Sequence, residues 1–434
     1  MTALYSLFRL HPVITTDSRD CPPESIFFAL KGDNFNGNAY AAAALEKGCA
    51  YAVIDEAQYA KDDRYIVVPD VLQALQQLAN EHRRTLGTPI IGVTGTNGKT
   101  TTKELIATVL QKKYNVHYTQ GNFNNHIGVP KTLLQLTGEH EIAVVEMGAN
   151  HPGEIKTLAD IVEPDCGIIT NVGKAHLEGF GSFEGVIKTK GELYDKLRQH
   201  SNTTAFIDAD NEHLKAIADG LHLVKYGVNS TDSDITVKGS IKDCAPFLHF
   251  TWQQAGNSET YSVQTHLIGA YNIYNMLAAT TIGLHFGVTP EQICSALSNY
   301  IPSNNRSQLT ITDRNHLIVD TYNANPTSMK AALENFTMLT PKEGLRKMAI
   351  LGDMRELGEV STAEHQKVVD YLKEHPEIEA WLVGSEFKKT ICDYRKFNDV
   401  NDVKEALEAK PLAGKCILVK GSNGIRLFEL PPIL

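Results

Sequence analysis

The run with the most evident chemistry is Ile90-Ile91-Gly92-Val93-Thr94-Gly95-Thr96-Asn97-Gly98-Lys99-Thr100-Thr101. A β-branched apolar stretch stops at glycines. A lysine and threonines then open a helical pattern carried by Leu105, Ile106, Val109 and Leu110. Strand, glycine turn and helix start, in that order, make a cradle for phosphate. Glycines let backbone N–H groups close around phosphate oxygens, and the helix start adds free donors and partial positive charge. In such a cradle Lys99 brings a cation to the β- and γ-phosphates, and the Thr100 hydroxyl holds Mg²⁺. Gly95, Thr96, Asn97, Gly98 and Thr101 complete the loop. Val93 stands where the usual G-x-x-x-x-G-K-[ST] spacing has its first glycine. A glycine-rich hairpin turn is the competing reading, but it needs neither the Lys-Thr pair nor the amphipathic helix. The expected ligand is a nucleoside triphosphate.

Other candidates stand at the ends of apolar runs. Glu146 closes Glu141-Ile-Ala-Val-Val145 and suits Mg²⁺ beside the phosphate edge, the alternative being a solvated strand-end acid. His176 and Glu178 follow the run Cys166–Thr170, within Asn171-Val-Gly-Lys-Ala-His-Leu-Glu. Taken alone, His176 reads as well as an ordinary loop histidine. Lys188 and Lys190 fall on the next helical stretch, where lysines ordinarily make a solvated face. Gly121–Pro130 is dense in amides, Asn122 and Asn125 among them, and fits either a sugar-phosphate or a plain turn. Asp320, Tyr322, Asn323 and Asn325 gather at another strand end. Capping accounts for Asn325, with Pro326 at the first helical position, but not for the cluster. Arg306 suits a charge-neutralising clamp on the triphosphate, its alternative being a surface arginine in a linker.

The elements that carry these residues divide the 434 residues into three expected domains: 1–88, 89–303 and 304–434. The first reads as a small α/β unit. It has strands near Val13–Thr16, Ser25–Leu30, Tyr51–Ile54 and Tyr65–Val68, and helices over Asn38–Lys47 and Val71–Arg84. The second alternates apolar strands with helices, which implies a parallel sheet covered on both faces. An antiparallel addition is expected between Ser201 and Gln264, and a turn then a helix from His266. The third reads as a small Rossmann-like sheet. Its strands are His316–Asp320, Met348–Leu351, Ala380–Val383 and Cys416–Val419. The fold class is therefore α/β, with a central P-loop parallel-sheet ATPase domain between two smaller units. Ligands in such sheets sit at the carboxyl ends of strands, so Glu146, Asn171 and His176 share an edge with Lys99.

A net charge of −10 argues against a nucleic-acid partner. Seven scattered cysteines, with no C-x-x-C pair, indicate neither a zinc site nor a disulfide framework and fit a reducing cytosol. Neither a signal peptide nor an apolar run long enough to span a membrane is expected, so the reading is a cytoplasmic protein.

Five motifs together carry a resemblance over essentially the whole chain. They are Gly95-Thr-Asn-Gly-Lys-Thr-Thr, Asn122-Phe-Asn-Asn-His-Ile-Gly-Val-Pro, Glu146-Met-Gly, Asn171-Val-Gly-x-Ala-His-Leu-Glu and Asp320-x-Tyr-Asn-Ala-Asn-Pro. The sequence resembles the Mur ligase family, ATP-dependent amide ligases of peptidoglycan precursor synthesis. That family writes its phosphate loop with Val93's departure. The likeness is nearest to the member that joins D-alanyl-D-alanine to UDP-N-acetylmuramoyl-tripeptide. Thr16-Asp-Ser18-Arg19 and Phe27–Gly32, with Lys31, resemble its uridine-binding domain. Asn323-Ala-Asn-Pro stands where the ligase adding the third residue has an Asn-Pro-Arg signature, and Leu351–Gly358 with Lys420–Gly424 resembles its C-terminal domain.

The resemblance implies ATP and Mg²⁺ as cofactors, and the UDP-tripeptide and the dipeptide as substrates. It implies metal held by Thr100, Glu146, His176 and a carbamylated Lys190, fourteen residues after the histidine. It also implies adenine near Asn272 and Asn275, where Tyr271 replaces a common histidine. Asp320 and Arg306 are expected on the nucleotide, and Asn323 and Asp353 on the dipeptide. A monomer is expected. The alternatives are a folylpolyglutamate synthase type of ligase and a non-catalytic nucleotide-gated binding protein.

Overall fold

The computed structural model describes residues 2–302 and 308–434. Arg306 and the expected boundary at 303 lie outside the described residues.

The N-terminal sheet has four parallel strands in the spatial order Ile14–Thr15, Ile26–Phe28, Tyr51–Ile54, Tyr65–Val67. A first helix, Ala3–Leu10, buries Tyr5 and Phe8 at helical spacing under a Thr2 cap. The expected helix over Asn38–Lys47 is instead a 3₁₀ turn, Gly37–Tyr40, followed by a short α-helix, Ala41–Glu46. Asn38 is buried there and accepts Asp55 N–H, which ties the turn to a strand end. Val71–Leu86 starts under an Asp70 cap and stops at Gly87, whose φ of 68° is left-handed. Its Leu75 and Leu78 share one core with Val129, Leu133, Ile155 and Leu158 of the next domain. This helix is thus the joint between the N-terminal and central sheets.

The central sheet has nine strands. Their order is Tyr261–Ile268, Phe247–Gln254, Ile235–Cys244, Leu223–Gly227, Thr204–Asp208, Cys166–Ile169, Ile90–Thr94, Ile142–Glu146, Val116–Tyr118. Pairing is parallel from Val116–Tyr118 through Ile235–Cys244, and only the last three strands meander antiparallel. The antiparallel part is therefore shorter than expected, because Thr204–Asp208 and Leu223–Gly227 extend the parallel sheet. His266 is the correction at the other end: it lies in the last strand, and the helix begins at Asn272. Register sets Val93 beside Glu146 and Thr94 beside Ile169, so three strands end together.

The C-terminal sheet has six strands, ordered Gln308–Ile311, Asn315–Asp320, Lys415–Lys420, Arg346–Gly352, Glu379–Val383, Arg395–Phe397. Only the first pair is antiparallel. Apolar cores on its two faces centre on Phe336, Leu351 and Leu382, and on Ile350, Val419 and Leu427. The two edge strands are short, and neither reads as a strand from the sequence. None of the described helices is long and apolar enough to cross a membrane. All seven cysteines are free.

Candidate active site

Strand Ile90–Thr94 runs into the glycine loop, and helix Lys99–Leu110 leaves it. Gly95 has φ 143°, and a Cβ there would sit 2.1 Å from Thr170 Oγ1. Gly98 caps the helix at φ 78°, with Asn275 Oδ1 2.8 Å from where a Cβ would be. Glycine is therefore required at both positions, by conformation and by space. Thr170 Oγ1 and Asn171 Nδ2 donate to Asn97 O at 2.6 and 3.0 Å, and Asn171 Oδ1 accepts Asn97 N–H at 3.0 Å. The neighbouring strand end thus pins the loop. Lys99 Nζ donates to Gly95 O at 2.9 Å and Thr96 O at 3.0 Å. Its ammonium is held over the mouth of the cradle.

Thr100 Oγ1 donates to Glu146 Oε2 at 3.0 Å, and Asn124 Nδ2 donates to Oε1 at 2.8 Å. Glu146 is 1% exposed, so it is not a solvated strand-end acid. A hydroxyl and a carboxylate side by side are hard oxygen donors and suit Mg²⁺ shared with phosphate oxygens. Lys103, equally buried, donates to Thr119 O at 2.6 Å and stands 3.8 Å from Glu146 Oε2. Nothing in the sequence singled it out except its place four residues after Lys99. Among the described residues, no three His, Cys, Asp or Glu side chains form a ready-made metal cluster.

Lys190 is not on a solvated face. On helix Phe183–Leu197 it is 2% exposed, whereas Lys188 is exposed. Its Nζ donates to Ala149 O at 3.3 Å and lies 5.2 Å from the centre of the Phe180 ring. Burial, reinforced by the charge of Lys99, pushes its amine well below the ordinary lysine range. His176 packs edge-on against the same Phe180 ring. Burial holds His176 below the ordinary histidine value, against the pull of Glu356. Its Nδ1 pairs with the Glu356 carboxylate of the C-terminal domain.

One cleft of about 1520 Å³ collects most of the expected residues. Thr96 to Thr101, Glu146 and His176 line it, with Asn122 and Asn125, Asn272 and Asn275, and Asp320, Tyr322 and Asn323. Several also have structural duties. Asn125 Oδ1 accepts Ile127 N–H at 3.1 Å and Gly128 N–H at 2.9 Å, where helix Gly128–Leu133 begins. Thr102 Oγ1 donates to Asn275, Asn275 to Asn272, and Asn272 to Ile268 O, at 3.1, 2.8 and 2.8 Å. This chain ties the phosphate helix to helix Asn272–His285. Asp320 pairs with buried Lys420 at 2.6 Å, a cleft residue that the sequence left unmarked as a ligand. Asn325 does cap Pro326–Met338, as expected, and its Nδ2 also donates to Asn97 Oδ1 at 2.7 Å. The cap of a C-terminal helix thus touches the phosphate loop. Asp208, Asp210 and Tyr274 also line the cleft, with Tyr274 OH donating to Asp210 at 3.1 Å. Burial pushes the Asp208 carboxyl up to about 7.

Gly95, Lys190 and Asn325 do not line this cleft, and four further expected ligand residues are engaged elsewhere. Asp353 is 4% exposed, and its two oxygens accept Glu386 N–H and Phe387 N–H, each at 2.9 Å. It is a buried cap of the short helix Ser385–Lys388 and not a side chain presented to a dipeptide. Lys31 is engaged by Asp55 and Glu56 at 2.8 and 3.0 Å, and Arg19 by Asp17 at 2.7 Å. Ser18 offers its carbonyl to Lys47. Ser18, Arg19 and Lys31 all sit outside the cleft, where the N-terminal domain is represented by Asp70, Leu72, Gln73 and Gln76.

Sequence comparison matches residues 12–83 to the Mur ligase family catalytic domain. Residues 93–283 match the Mur ligase middle domain, and residues 305–423 the Mur ligase glutamate ligase domain. The UDP-N-acetylmuramoyl-tripeptide–D-alanyl-D-alanine ligase of Bacillus subtilis is 35% identical over 430 residues, covering 96% of this chain and 92% of that one. The chain belongs to the Mur ligase family. Among solved Mur ligases, MurF from Acinetobacter baumannii superposes with a TM-score of 0.85 at 28% identity, covering 99% of this chain and 97% of that one. MurF from Thermotoga maritima in complex with ADP shares the fold, with a TM-score of 0.86 at 24% identity over 100% and 98% of the two chains. This Mur ligase therefore has the three-domain α/β architecture, with the parallel-sheet domain in the middle.

Proposed function

We propose that this chain is an ATP-dependent amide ligase that joins D-alanyl-D-alanine to UDP-N-acetylmuramoyl-tripeptide, forming ADP and phosphate in peptidoglycan precursor synthesis. The observation that carries this reading is a single cleft. The phosphate cradle with Lys99, the buried Thr100–Glu146 pair and the C-terminal strand end Asp320–Asn323 all open into it. Phosphate, carboxylate and amine can meet only where such edges face each other.

The tripeptide's carboxylate attacks the γ-phosphorus and ADP leaves, giving an acyl phosphate. The dipeptide amine then adds to the acyl carbon, phosphate departs with the C–O electron pair, and the surplus N–H proton passes to solvent. Two anions meet in the first step, so Lys99 offsets their repulsion as a fixed cation. Thr100 and Glu146 are the residues to hold Mg²⁺, which when bound neutralises phosphate charge. Asn272 and Asn275 stand at the adenine side.

Lys190 is the site of carbamylation. Its depressed amine keeps a lone pair that adds to CO₂: an N–C bond forms, a C–O π pair moves onto oxygen, and the N–H proton leaves. The resulting carboxylate, with His176, would supply a second set of donors for Mg²⁺.

The test follows oxygen. Tripeptide substrate labelled with ¹⁸O in its terminal carboxyl, turned over with ATP and dipeptide, should pass label into inorganic phosphate. Unlabelled phosphate alongside normal product would reject the acyl phosphate.

A further inference from the structure

We propose that Glu356 is a positioning residue for His176, brought to it when the C-terminal domain seats on the phosphate-loop domain. The proposal rests on the ligase reading above and adds a residue to its machinery. Glu356 does not line the cleft, so it acts through the histidine and not on substrate.

Both partners have left-handed backbones although neither is glycine: φ is 50° at His176 and 63° at Glu356. Such conformations are costly for side-chain-bearing residues and persist only where the surroundings over-determine them. The surroundings do so here. On one side, the His176 carbonyl accepts Gly179 and Phe180 N–H at 3.0 Å each, starting the turn Leu177–Phe180. On the other, Met354 N–H donates to His365 Nε2 and Arg355 N–H to Ser422 Oγ, both at 3.0 Å. The loop is fixed just before it projects Glu356 across the domain junction. There the carboxylate meets His176 Nδ1, and the Glu356 carbonyl accepts Glu178 N–H at 3.3 Å.

The same strip carries further contacts between the two domains. Lys174 N–H donates to Thr327 Oγ1 at 3.2 Å, and Lys174 Nζ lies 3.7 Å from Glu364. Seating is thus fixed independently of Glu356. What Glu356 adds is the ring: pairing at Nδ1 fixes the imidazole plane and leaves Nε2 for the cleft that His176 lines. An ordinary exposed ion pair at a domain junction contributes little and would influence stability alone.

The experiment compares Glu356→Gln, Glu356→Asp and Glu356→Ala with the full-length wild type. Glu356→Gln keeps the side-chain volume and guards against misfolding, checked by its melting temperature. We expect kcat to fall about 10- to 100-fold in the Gln and Ala variants, as for other residues that orient a ligand, with all KM values unchanged. The Asp variant should recover part of the loss. In the His176→Ala background, Glu356→Ala should cost nothing further, because its route is gone. Wild-type kcat in Glu356→Gln, or additive losses in the double variant, overturns the proposal. Deuterium exchange at the His176 ring C2–H, read by mass spectrometry, is independent of turnover. It should quicken in Glu356→Gln and stay constant at His117, which is held in the central domain by Thr132 O at 2.9 Å from its Nε2; an unchanged His176 rate overturns the contact. Absence of turnover in wild type would reject the ligase reading, and the exchange result would still decide on Glu356.

Discussion

Asp353→Ala separates a structural carboxylate from a substrate ligand. Both Asp353 oxygens accept a backbone N–H at 2.9 Å at the start of helix Ser385–Lys388, in a site with almost no solvent. Gly384 makes this possible: a Cβ there would lie 2.2 Å from Asp353 Oδ2. His365 Nε2, 3.7 Å from Oδ1, accepts from Met354 N–H and so donates nothing to Asp353. Removing the carboxylate therefore orphans two N–H groups and leaves no replacement acceptor. Hydrogen bonds to charged groups contribute about 1.5–3 kcal/mol each, so the expected loss is at least about 3 kcal/mol. Asparagine keeps one acceptor and turns an NH₂ toward the other N–H, so it should lose about half of that or more. The assay is urea unfolding followed by Trp381 fluorescence, with Trp252 replaced by phenylalanine to isolate the C-terminal signal. With an m-value of about 2 kcal/mol/M, the midpoint should drop by about 1.5 M in the alanine variant. The KM for the dipeptide, measured where the variant is folded, should not change. A loss below about 1 kcal/mol, the value of an ordinary exposed cap, together with a raised dipeptide KM would refute the capping account.

Three further outcomes are expected. Lys99→Ala should lower turnover by about 10²-fold or more, since one preorganised electrostatic donor is removed from the transferring phosphoryl; near-normal turnover would count against its role. Enzyme equilibrated with ¹³C-bicarbonate should give a carbamate carbon resonance that is missing in Lys190→Ala, and the same spectrum from both would reject Lys190 as the modified residue. Asp208 carries the pH prediction. Its carboxyl titrates at about 7 in the folded chain, against about 3.9 in an unfolded one. Between those values the folded state holds a proton that the unfolded state has lost, so stability falls as pH rises from about 4 to about 7. A gap of about three pH units corresponds to about 4 kcal/mol. Asp208→Asn should thus raise the melting temperature more at pH 8 than at pH 5, and an equal gain at both would refute the assignment.

The sequence by itself determined what depends on neighbours along the chain. Strand, glycine turn and helix at Ile90–Leu110 are local, and so is the cap at Asn325 followed by proline. The carboxyl-edge rule then brought Lys99, Glu146 and His176 to one cleft, because parallel strands share a direction. Tertiary structure alone decided which side chains lose water and which partners they meet. Lys190 and Lys188 stand two residues apart on one helix, yet only Lys190 faces the interior. Asp353 looks like a ligand at a strand end until Glu386, 33 residues on, folds back to claim it. Glu356 meets His176 across 180 residues and two domains. Helical and strand periodicity report a residue's own face. They carry no record of the surface that arrives to cover it, and it is that surface which sets burial, charge and chemistry.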